Sequence, residues 1–172
     1  MTIPNLGRRR FITNTATGLV VISTPFAAFA QTSAPQQPVP KRPDPLAPAM
    51  VNEFVRKAHA DLPATKAMLA EQPSLLNATW DWGGGDFETG LGGAGHMGNR
   101  EIAEFLIGQG ARLDIFVAAM LGRLDIVRAL LTAWPGLLQS KGPHGIPLLR
   151  HARAGGEQAK PVVDYLASLG AG

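Results

Sequence analysis

The constraint that governs this chain is internal repetition. Four segments share one order of small residues, a break and an apolar stretch: KAHADLPATKAMLAEQP, AGHMGNREIAEFLIGQG, AAMLGRLDIVRALLTAWP and HARAGGEQAKPVVDYLASLG. Aligning their second halves puts Met68, Leu106, Leu130 and Leu166 in register, with Ala64, Ile102, Ile126 and Val162 four residues before them, at intervals of 38, 24 and 36 residues. A recurring short unit of this kind cannot bury an apolar face alone, so neighbours must stack on one another to make a core.

Within each unit the spacing predicts two short antiparallel helices. Ile102, Phe105 and Leu106 in one copy, and Ile126, Ala129 and Leu130 in the next, fall on a single helical face. Copies one and three stop at Pro73 and Pro135, each followed by x-Leu-Leu, while copies two and four stop at Gly110-Ala111 and Gly170-Ala171, as a glycine C-cap requires. The segment between copies two and three is short by most of a hairpin.

These residues resemble the ankyrin repeat, whose pattern runs G-x-T-P-L-H-x-A-A-x-x-G-x-x-x-I-V-x-x-L-L-x-x-G-A. Copy two supplies Thr89-Gly90-Leu91-Gly92-Gly93-Ala94, Gly98, Ile102, Leu106-Ile107 and Gly110-Ala111. Copy three supplies Ala118-Ala119, Gly122, Ile126-Val127 and Leu130-Leu131, and copy four Gly145, Pro147, Leu149, Ala152 and Val162-Val163. Glycine replaces the Pro and His of the T-P-L-H turn in copy two. The resemblance covers residues 50–172 and implies an all-α solenoid of about four helix-turn-helix units, with degenerate first and last copies.

A competing motif overlaps copy two. Gly90, Gly92 and Gly95 satisfy G-x-G-x-x-G, and Asp114 follows nineteen residues after Gly95, where a dinucleotide fold places its ribose carboxylate. That fold needs an apolar strand before the glycines, and TWDWGGGDFET precedes them. The glycines are therefore expected to let neighbouring elements approach a first helix closely. Thr89 is the expected N-cap, and so many glycines predict the least stable helix of the stack.

The N-terminus has a different purpose. Arg8, Arg9, Arg10, Phe11 and Ile12 precede a mildly apolar stretch that ends in the small-x-small signal Ala28-Phe29-Ala30. This resembles a twin-arginine (Tat) export signal over residues 1–30, which implies a mature chain starting at Gln31 in the periplasm or outside the cell. The stretch is too short and polar for a good membrane span, so no stable span is expected after cleavage. Residues 31–49 hold six prolines and few large apolar residues, the composition of an extended linker. Of 16 Lys and Arg, three lie in the signal; the 13 that remain equal the 13 Asp and Glu. With that balance a nucleic-acid partner is not expected. The chain has no cysteine, which excludes disulfides, thiol catalysis and thiolate metal sites.

The most unusual segment is Thr79 to Glu88. Trp80 and Trp82 alternate along it, with Asp81, Asp86, Phe87 and Glu88 around three consecutive glycines. Alternate residues of an extended backbone share a side, so the two rings are expected to form a paired aromatic anchor for a partner, to fold down over the core, or to split, one ring in and one out. A second loop, SKGPHGIP, carries His144. The ankyrin resemblance makes both loops finger tips, and the reading that follows is a monomeric protein-interaction module whose partner-binding residues are Trp80, Asp81, Trp82, Asp86, Phe87 and His144, with another protein as partner and no cofactor. An alternative reading takes His96, His144 and His151 with Asp86 and Glu88 as a metal or acid–base cluster in a small-molecule- or metal-binding protein. His59 and His96 occupy equivalent places between the helices of copies one and two. No H-E-x-x-H, G-x-S-x-G or Walker loop occurs, so catalytic residues are not assigned and an enzyme is not expected.

Overall fold

The computed structural model describes residues 42–172. Arg8, Arg9, Phe11, Ala28 and Ala30, with most of the 31–49 segment, lie outside them. The described chain is mostly helical, with little strand. It runs α1 (Pro48–Lys57), α2 (Leu62–Glu71), β1 (Thr79–Asp81), β2 (Phe87–Thr89), α3 (Gly90–His96), α4 (Arg100–Gly108), α5 (Ile115–Met120), α6 (Leu124–Ala133), α7 (Leu148–Ala154) and α8 (Lys160–Ser168). Among the described residues no helix is long and apolar enough to cross a membrane.

The helices come as four consecutive pairs, and sequence explains their ends. Asp61, Thr89, Asn99 and Asp114 each accept a backbone N–H of the first turn through the side chain, capping α2, α3, α4 and α5. Pro48 stands in the first turn of α1, where its missing N–H costs nothing, so that helix starts two residues before the expected boundary at residue 50. Gly98 and Gly122 take positive φ between the helices of the second and third pairs. There a Cβ would strike the carbonyl of Ala154 and of Gln158 respectively.

Each pair buries one face against the next. Phe54, Leu91, Ile102, Leu106 and Met120 belong to one buried cluster, and Leu148, Val162 and Leu166 to a second around α5–α8. A fully buried Phe or Leu of this kind stabilises the fold by about 1.5–3 kcal/mol relative to an exposed one.

Two excursions leave the helices. The first is an antiparallel hairpin in which Thr79 faces Thr89, Trp80 faces Glu88 and Asp81 faces Phe87. Gly83, Gly84 and Gly85 all have positive φ at its tip, a conformation that favours glycine. The second is closed by a Lys141–Pro147 bridge and turns through Pro143–Gly145. Between the second and third pairs there is no such excursion: the chain passes directly into Asp114, which caps α5.

Candidate metal centre

Alternation along the first hairpin sorts its residues into two faces. Trp80, Trp82 and Glu88 share one, and Asp81 and Phe87 take the other. Trp80 packs against the first core cluster. Trp82 stays 36% exposed, and its indole N–H donates to Glu88 Oε2 at 2.8 Å. Phe87 is 61% exposed. Asp81 accepts the backbone N–H of Gly83 and of Gly85, which shapes the tip.

Glu88 is the anomaly of the fold. It is 1% exposed, and a buried carboxylate is costly unless compensated. What surrounds it is three histidines. His59, in the turn after α1, places Nε2 at 3.4 Å from Oε2; His96, the last residue of α3, places Nε2 at 3.0 Å from Oε1; His144, from the second excursion, places Nε2 at 3.4 Å from Oε2. His59 Nε2 and His96 Nε2 are 3.1 Å apart. One ligand atom from each of the four residues lies within 4.8 Å of every other.

The outer atoms of two rings fix which way their inner atoms act. His59 Nδ1 is 2.8 Å from the Val55 carbonyl and His144 Nδ1 is 2.7 Å from Asp86 Oδ2. Both partners only accept, so both Nδ1 atoms carry a proton, and the neutral form of each ring turns its Nε2 lone pair inward. In that form the interior holds two nitrogen lone pairs and a carboxylate, the ligand set a cation takes up in place of protons. Glu88 Oε1 is closed to water and has no hydrogen-bond partner, although His96 Nε2 stands 3.0 Å from it as an ion-pair contact. An acceptor-rich cluster around a buried carboxylate is matched by a cation.

Burial pushes the Glu88 carboxyl up. The His96 ring, the Trp82 N–H and the His59 ring more than offset that and hold it below its ordinary range, so the ligand oxygen is ionised. Asp86 is also held low, chiefly because the backbone N–H of His144 donates to it.

Distances favour a metal over a chance cluster. Four ligands at about 2.0–2.1 Å from a tetrahedral zinc stand about 3.3–3.4 Å apart. The contacts of 3.0 Å to Glu88 Oε1, 3.4 and 3.4 Å to Oε2 and 3.1 Å between His59 and His96 lie near that edge, and one atom from each residue fits within 4.8 Å of every other, so small side-chain adjustments close the set. The outer partners, Val55 carbonyl, Asp86 carboxylate and Trp82 N–H, orient the ligands as outer-shell groups do around bound metals.

Glycine makes the approach of His59 possible. A Cβ on Gly93 would lie 2.7 Å from His59 Cε1 and Nδ1, so the glycine-rich α3 admits the ring that an ordinary helix would exclude. His144 itself sits at φ 58, a left-handed conformation that costs a non-glycine residue about 1–3 kcal/mol. Asp86 holds it there from both its backbone N–H and its ring.

Of the residues singled out from sequence, the structure brings His96, His144, Glu88 and Asp86 together and adds Trp82. His151 does not join them. It is buried, its ring lies 4.9 Å from Phe116, and its Nδ1 bonds the Pro147 carbonyl. His59, to which the sequence assigns no ligand role, is a member of the cluster as well. Its equivalence to His96 between the helices of successive copies is the signal that carried it, since equivalent positions of stacked pairs are neighbours in space.

No family model matches this chain, nor does any curated protein or solved structure.

Proposed function

We propose that this chain is an exported helical-repeat protein of ankyrin type that binds one divalent transition-metal ion through His59 Nε2, His96 Nε2, His144 Nε2 and a Glu88 carboxylate oxygen. The observation that carries the reading is the convergence of three imidazoles on a buried carboxylate whose Oε1 has no hydrogen-bond partner. Three nitrogens and one oxygen suit zinc and the neighbouring ions, and four protein ligands make a closed set of the structural kind. The ion joins the turn after α1, the first hairpin, the end of α3 and the second excursion, so its role is to staple the two fingers to the first two helix pairs. The ankyrin assignment is supported by the four helix pairs, the positive-φ glycines between their helices and the two finger-like excursions. Export rests on the residue 1–30 signal.

The test is metal analysis of the untagged full chain recovered after export, followed by zinc titration of the chelator-stripped protein. One equivalent of metal, with titratable high affinity, is expected for the parent, and neither for a His59→Ala/His96→Ala variant of unchanged helix content. A parent that carries no metal and takes up none would end the proposal.

Protein recognition is the second reading, and Phe87 is the observation that favours it. It stands 61% exposed on the hairpin face opposite Glu88, where an aromatic side chain is available to a partner.

A further inference from the structure

Each of two metal-facing histidines gives its outer N–H to a protein acceptor, and the third does not. His96 Nδ1 makes no hydrogen bond among the described residues, and it is not among the buried unpartnered polar atoms. Metal-bound histidines donate that proton to a carboxylate, a carbonyl or water almost without exception. His96 lines an open cavity of about 540 Å³ together with Met97, Ile146, Arg150, Arg153 and Ala154. No acidic side chain lines it. Arg150 and Arg153, three residues apart on α7 and so on one helical face, make no ion pair among the described residues. Two uncommitted guanidiniums lining one cavity with an imidazole whose Nδ1 has no protein partner form an anion-recognising constellation, since guanidinium offers paired N–H donors that match the oxygens of a carboxylate or a tetrahedral oxyanion.

We infer that this cavity binds a small oxyanion, held by Arg150 and Arg153 and completed by the Nδ1–H of His96. The imidazole contribution rests on the metal reading, because a metal on Nε2 is what fixes the proton on Nδ1; the arginine contribution does not. The oxyanion would stand one imidazole ring away from the ion and complete the shell of outer acceptors that Val55 and Asp86 supply to the other two histidines. The coupling is reciprocal: the ion strengthens oxyanion binding and the oxyanion strengthens metal binding by the same factor.

The experiment is titration of sulfate, and separately of acetate, into the full chain in its zinc-loaded and chelator-stripped forms, followed by NMR of the histidine and arginine side chains. Saturable one-site shifts at His96, Arg150 and Arg153 are expected, tighter by about fivefold or more with zinc present. Arg150→Gln/Arg153→Gln should weaken them by about tenfold or more while leaving zinc affinity in the absence of sulfate and acetate unchanged. The stronger of the two probes assigns the ligand as a tetrahedral oxyanion or a carboxylate. Shifts that never saturate in either form, or that survive the double substitution, would overturn the inference. Arginine-dependent sulfate binding in a chain that takes up no zinc would sink the metal reading and leave the oxyanion site standing.

Discussion

Asp86 grips His144 through both of its oxygens, across 58 residues of chain: Oδ1 accepts the backbone N–H at 2.8 Å and Oδ2 accepts the ring Nδ1–H at 2.7 Å. One carboxylate thus sets the tautomer of a proposed ligand and holds its backbone in a left-handed turn. Asp86→Asn keeps the shape but replaces one acceptor with a donor. Zinc affinity is expected to fall about 10–100-fold, the usual effect of losing an outer-shell partner, with little change in the helical signal. Calorimetric titration of the two proteins checks this, and equal affinities would remove Asp86 from the site.

The same pair makes an acid prediction. Asp86 is held below the ordinary carboxylate range by the His144 N–H, so its contribution is present above that range and is lost as pH falls through the depressed value. The amide proton of His144 should be protected from exchange near neutral pH and lose that protection in strong acid. Protection that persists in the Asp86→Asn protein would show that something else holds the turn.

How much of this was legible in the sequence depends on what each residue answers to. The helix pairs follow from local rules: Ile102 with Leu106 on one face and Thr89 as a cap declare themselves within a few residues, whereas Asp114, placed by spacing where a ribose carboxylate would stand, is the cap of α5. Glu88 does not declare itself. It stands among exposed-looking acids and glycines, and its burial is decided by the pairing of Trp80 with Glu88 across the hairpin and by the arrival of α1 and the second excursion. His59 is hidden for the same reason, since its partners lie 29, 37 and 85 residues away. The glycine run of α3 permits close approach, as its composition implies, and what approaches is the His59 imidazole as well as Phe54 of α1 and Val117 of α5.

Gly93 provides a steric test of that last point. A methyl group there would meet the His59 ring at 2.7 Å, so Gly93→Ala should push His59 away and weaken zinc binding by about tenfold or more, even though alanine favours helix. Gly108→Ala, where a Cβ meets nothing within 4 Å, serves as the control and should leave zinc affinity intact while stabilising the fold by about 0.4–1 kcal/mol. If both variants bind zinc like the parent, the close approach of α3 to His59 has no bearing on the site.

His151 yields a pH prediction that is separable from the metal. Burial pushes its ring below the ordinary histidine value, more than the Pro147 carbonyl restores, and its Nε2 has no partner. A depressed histidine is bound neutral in the fold, so the stability it supports is present above the unfolded value of about 6.5 and declines as pH falls through it. In chelator-stripped protein, urea unfolding should show stability falling from pH 7.5 to pH 5, and falling less in His151→Gln. Parallel pH profiles for the two would assign the acid sensitivity elsewhere.

The hairpin tryptophans have parted company in a way that changes which substitution probes recognition. Trp80 packs on the core and Trp82 donates to Glu88, so replacing both with alanine mixes lost packing with a damaged site and says little about a partner. Trp82→Phe isolates the second role. It keeps an aromatic ring, removes the N–H at 2.8 Å, and should weaken zinc binding by about tenfold with the fold retained. Phe87→Ser isolates the exposed face. Because that ring is 61% exposed and lies opposite Glu88, stability should change by no more than about 0.5 kcal/mol and zinc affinity not at all. Thermal unfolding and zinc titration of both variants decide the division: a Phe87→Ser protein that loses zinc, or a Trp82→Phe protein that binds it like the parent, would mean that the two faces of the hairpin do not carry the separate roles assigned to them.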